Sequence, residues 1–123
     1  MFALAAIAAT RLPPGWRTPA TVEFMRDKLE LSKRVLEGLA TEDFDLIATK
    51  ARRLGAMSLE PSWGLVEHPE YTRLSAEFRK NVELLGTAAQ NKNLDGVTLA
   101  YVRVTMSCVD CHKFVRGKTT VGN

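Results

Sequence analysis

Two cysteines three residues apart with a histidine directly behind them, Cys108, Cys111 and His112, lie in the stretch VTMSCVDCHKFVRGK over residues 104–118. They are the only cysteines of the 123-residue chain, and His68 is its only other histidine. Three chemistries use such a set. A dithiol can shuttle electrons; two thiolates and an imidazole can supply part of a zinc site; two thiols with an adjacent imidazole can hold a haem through two thioethers and an iron–nitrogen bond.

The surrounding pattern separates these options. Apolar residues alternate in steps of four and three, Val97, Tyr101, Val104, Cys108, Cys111 and Val115. That period predicts a helix starting around Asn93 to Asp95, with both cysteines on its inward stripe and His112 on the adjoining edge. A disulfide closed within one helical turn is strained. A redox dithiol belongs at a helix N-terminus in a βαβ setting, where the thiol pKa falls, whereas a helix C-terminus raises it. Zinc asks for four ligands, and only His68, in the loop before Pro69, is left to complete a Cys–Cys–His–His set. The C-x-x-C-H spacing fits haem attachment better than either rival, because two thioethers need thiols one turn apart on the side to which the imidazole points.

The preceding chain supplies a frame for that helix. A first helix is expected with Thr18 as N-cap, Pro19 at the first position, a stripe of Val22, Met25, Leu29, Leu36 and Leu39, and a stop near Gly38. Thr41 is the expected N-cap of a second helix that points Phe44, Ile47, Ala51 and Leu54 inward. Residues 60–69 form the long connection. Pro69 then opens a third helix with Tyr71, Leu74, Phe78, Val82 and Leu85 inward, running to about Asn91. Joints this short force antiparallel neighbours, so the expected fold is all-α, an antiparallel up-down-up-down four-helix bundle.

Composition is that of one globular domain, with 46% apolar and 25% charged residues. The net charge of +3 is spread along the chain and mixed with acids, which argues against nucleic acid as a partner and permits docking to an acidic redox protein. The longest apolar run, Phe2 to Ala9, falls short of the roughly 20 residues of a transmembrane helix. Residues 1–17 read as a signal-peptide remnant or a disordered arm, with the domain over 18–123, and the expected location is periplasmic or otherwise exported. No nucleophile–base pair, paired acids or phosphate loop stands out, so the expectation is a protein that is not an enzyme.

Over residues 18–117 the chain resembles the cytochrome c′ family of four-helix-bundle monohaem c-type cytochromes. CVDCH falls near the C-terminus on the last helix, Arg116 lies four residues after His112, and Trp63 lies in the loop after the second helix. Val115 replaces the family's usual tyrosine, with Phe114 beside it. The resemblance implies one covalently bound haem c, with Cys108 and Cys111 bonded to its vinyl groups and His112 as proximal ligand. The first helix would cover the other axial face, and Arg116 would lie near a propionate. With Met25 over the iron the implied function is electron transfer by a six-coordinate haem. With Leu29 there, the iron is five-coordinate and binds NO or CO. Family members often pair through their first two helices, so a homodimer is a further expectation. A zinc-stabilised structural domain without redox chemistry is the remaining alternative.

Overall fold

Thr18 is extended and its Oγ1 accepts from the Thr21 N–H at 3.1 Å, so α1 (Pro19–Thr41) starts with a satisfied donor and with proline where no N–H is needed. The computed structural model describes residues 18–64 and 66–120, and three more helices follow: α2 (Phe44–Met57), α3 (Pro69–Gln90) and α4 (Leu94–Thr120). They form the antiparallel four-helix bundle that the periodicity predicts, each helix packed on its neighbour in sequence. Among the described residues no helix is long and apolar enough to cross a membrane. The signal remnant or arm read at residues 1–17 and the last three residues of the expected domain lie outside the described residues.

The α1–α2 joint differs from expectation. Gly38 is not the stop: α1 continues to Thr41, and the chain turns at Glu42, whose φ of 53° is left-handed and whose N–H reaches the carbonyls of Gly38 and Leu39. Asp43, not Thr41, caps α2, its carboxylate accepting from the Leu46 N–H at 3.0 Å, while the Thr41 hydroxyl donates back to the Glu37 carbonyl at 2.9 Å. Gly38 is needed for close approach instead. A Cβ there would lie 2.6 Å from Ile47 Cγ1, and Ile47 is fully buried.

The inward face of α1 is also rotated by one residue from the expected stripe. Thr21, Phe24, Lys28, Val35 and Gly38 are buried, whereas Leu29 and Leu36 are 56% and 53% exposed and Val22 is exposed as well. Met25 and Leu39 pack at the edge of the core. In α3 the expected residues Tyr71, Leu74, Phe78, Val82 and Leu85 are all buried; in α4 Val97 and Val104 are buried, and Tyr101, Cys108, Cys111 and Val115 pack against the core from its edge. Asn81 ties α3 to α4 by donating to Ser107 Oγ at 2.7 Å. The α1–α4 seam is different: the two helices touch only sparsely, and the Tyr101 hydroxyl reaches across to the Ser32 carbonyl at 3.4 Å.

Two glycines separate packing from helix propensity. Gly38→Ala should lower the unfolding free energy by about 1–3 kcal/mol through overpacking. Gly86→Ala, whose Cβ would meet only Ala51 Cβ at 3.8 Å, should raise it by up to about 1 kcal/mol. Chemical denaturation of both variants measures the two signs.

Candidate functional site

Where α1 and α4 diverge, the bundle holds a cavity of about 510 Å³. The α1 wall carries Met25, Arg26, Lys28 and Leu29; the α4 wall carries Val104, Cys108, Cys111, His112, Val115 and Arg116. Trp63 and Val66 from the α2–α3 loop, with Tyr71 and Phe78 from α3, close the inner side. The motif residues, both rival residues of α1, Arg116 and Trp63 therefore meet in one space. No aspartate or glutamate is among the described residues that line it.

Trp63 is fixed in that wall. Its Nε1 donates to Ser75 Oγ at 2.9 Å, the Tyr71 hydroxyl donates to its carbonyl, and its ring lies 4.9 Å from that of Phe78. Thus a loop tryptophan becomes part of the core, held by two residues of α3. The sequence alternatives for ligation fall elsewhere. His68 is outside the cavity: it caps α3, its Nδ1 accepting from the Glu70 N–H at 3.1 Å, with its ring against Phe114. Met57 is in the core and Met106 is 58% exposed. Both cysteines are free thiols, and among the described residues no three His, Cys, Asp or Glu side chains converge as a metal-binding group.

Sequence reasoning missed Lys28. It is only 8% exposed, and its Nζ lies 3.8 Å from the centroid of the Trp63 ring and 4.2 Å from that of Phe78. The one available signal was positional, since Lys28 stands four residues after Phe24 and seven before Val35, both buried. A lysine on a helix ordinarily reads as a solvated face, so the spacing alone carried no alarm.

Electrostatics follow from this placement. Burial lowers the Lys28 pKa, against a smaller raising effect of the two cysteines. Burial pushes the Cys111 thiol up, and the Lys28 charge acts in the opposite sense. The His112 pKa is lowered by partial desolvation first and then by the charges of Lys28 and Arg116. The neutral imidazole is therefore favoured, which is the form that binds a metal. Tyr71 is pushed up to about 12, chiefly by burial, so it remains a hydrogen-bond donor.

Compared with known proteins, the chain matches no family model, no curated protein and no solved structure.

His68 offers a clean separation of cap from ligand. His68→Ala should cost about 0.5–1 kcal/mol of stability, as loss of a helix cap does, and His68→Asn should restore most of it. Neither variant should change what the CVDCH site binds; metal lost on His68→Asn, measured by elemental analysis, would bring His68 back as a ligand.

Proposed function

We propose that the chain is an electron-transfer protein of the cytochrome c′ kind, with one haem c covalently held in the cavity between α1 and α4. The observation that carries this reading is the gathering of Cys108, Cys111 and His112 in one cavity whose walls are apolar and whose charged residues are all basic. The donor set fits the group. A haem is a flat apolar plate with two carboxylates, and the walls offer Trp63, Phe78, Val104 and Val115 for its face and the exposed Arg26 and Arg116 for its acids. The volume lies within the roughly 300–1,000 Å³ of small-molecule sites.

In this reading Cys108 and Cys111 would hold the haem through thioethers and His112 would supply a nitrogen to its iron. When bound, the haem supplies a one-electron iron couple. Met25, on the facing wall, is the proposed sixth ligand; a thioether is a soft donor that favours Fe(II) and raises the potential. The apolar residues on the inner side of the cavity would lower the dielectric there. The same haem with Leu29 against the iron would bind NO or CO, and zinc in place of haem would leave a structural domain. An exported location and an acidic redox partner complete the proposal, the latter on the basic residues that follow the motif; of these Lys113 and Arg116 are exposed, and the Lys118 side chain lies outside the described residues.

The deciding measurement is a pyridine haemochrome spectrum of denatured protein. Haem should stay with the wild-type chain, and Cys108→Ala or Cys111→Ala should lose most of it; absence of covalent haem, or equimolar zinc, would remove the proposal. The ferric protein should be low-spin, and a high-spin spectrum would transfer it to the gas-binding reading.

Partner docking has its own signature. Association with an acidic redox protein should slow as ionic strength rises, since exposed charges are screened beyond about 8 Å at physiological salt. Lys113→Glu should slow association several-fold, as an order-of-magnitude expectation for one steering charge, with little change in dissociation. Stopped-flow rates indifferent to both changes would discard the acidic partner.

A further inference from the structure

Lys28 is the only buried charged side chain among the described residues. Among the described residues no carboxylate pairs with it: their ion pairs, such as Lys33–Glu30 and Arg73–Glu70, lie on the surface, and no acid lines the cavity. Its amine rests on the faces of Trp63 and Phe78, contacts that offset only part of the cost of burying a charge without a counter-ion. A chain that retains an amine here under such a penalty places it against something that takes either its charge or its lone pair.

The cavity separates those two uses by position. Arg26 and Arg116 are exposed where they line it, which suits carboxylates that prefer to stay near water. Lys28 is on the inner side, in the field of Cys108, Cys111 and His112. In a haem the vinyl groups and the propionates lie on opposite edges, so an amine near the vinyl-bonding cysteines is remote from the acids. What remains for it is the metal.

We propose that Lys28 is a second distal donor to the haem iron, whose amine takes the sixth position whenever Met25 does not fill it. This rests on the haem reading above. Such an exchange would break one iron–sulfur bond and form one iron–nitrogen bond, the ammonium proton passing to solvent at the exposed side of the cavity with no electron moved. Desolvation already favours the neutral amine that such a bond requires.

The test is the ferric spin state of the intact haem protein, read by absorption and low-temperature electron paramagnetic resonance. Met25→Leu should lose the iron–thioether signature yet remain low-spin. Met25→Leu/Lys28→Leu should become fully high-spin, and so should Met25→Leu/Lys28→Arg, which keeps a cation on the two rings but cannot deprotonate to bind iron. The arginine variant thereby separates ligation from electrostatics and from loss of packing, and thermal melts confirm that each variant is folded. A high-spin Met25→Leu protein, or a low-spin Met25→Leu/Lys28→Arg protein, overturns the inference while leaving the haem intact. A wild-type chain without covalent haem overturns the functional reading itself.

Discussion

The arrangement depends on one seam that the chain does not close with its own side chains. α1 against α2, α2 against α3 and α3 against α4 are packed along their lengths, whereas α1 and α4 meet only sparsely. The residues that would close that seam, Val22, Met25 and Leu29 on one side and Val104 and Val115 on the other, border the cavity instead. Apolar surface left facing such a space forfeits about 25 cal/mol for each Å² that burial would have removed from water. A bundle free to tighten would recover that energy. Here Trp63, anchored to Ser75 and Tyr71, lines the inner side of the cavity.

The same indole offsets part of the cost of the buried amine. Trp63 and Phe78 present ring faces to Lys28, and Trp63 can do so only because two hydrogen bonds to α3 fix its loop. Packing, polarity and charge are therefore coupled through one indole. An apolar isostere at Lys28 would relieve the desolvation, yet the chain holds a lysine where Phe24 and Val35 on the same face are apolar. Polar groups retained in a core at such a cost are commonly those with a role at a site.

How much of this was legible in the sequence depended on how many surfaces each helix serves. The buried residues of α3 match their period because one face of that helix packs and the other is solvated. α1 serves two surfaces. Phe24 and Val35 face the core while Val22, Met25 and Leu29 face the cavity, and a broad apolar band in sequence does not say where one ends and the other begins. The α1–α2 joint was misplaced for a related reason: Thr41 and Asp43 both cap well, and the choice is made by the close approach of Gly38 to Ile47, a tertiary contact. Cys108, Cys111 and His112 were legible because their geometry is local to one helix, where spacing fixes which side chains share a side. Lys28 was not, since only the position of a neighbouring helix and loop turns a lysine from a solvated residue into a buried one.

Under the proposed haem reading, the choice between electron transfer and gas binding reduces to what α1 offers across the cavity. A five-coordinate iron needs an apolar neighbour with no donor in reach, and Leu29 alone would meet that condition. It does not stand alone. Met25 and Lys28 lie on the same wall within four residues of it, and Leu29 is the most exposed of the three. Keeping both donors away from a bound metal would require holding two flexible side chains out of a space that they already line, one of them a cation balanced only by two ring faces. With a haem in place, coordination would satisfy one of these donors at a time, since a single sixth position takes either the thioether or the amine. In the proposed haem protein a low-spin centre with a filled sixth position is therefore the state that the α1 side chains favour, and such a centre would pass electrons through an exposed edge without opening to a substrate.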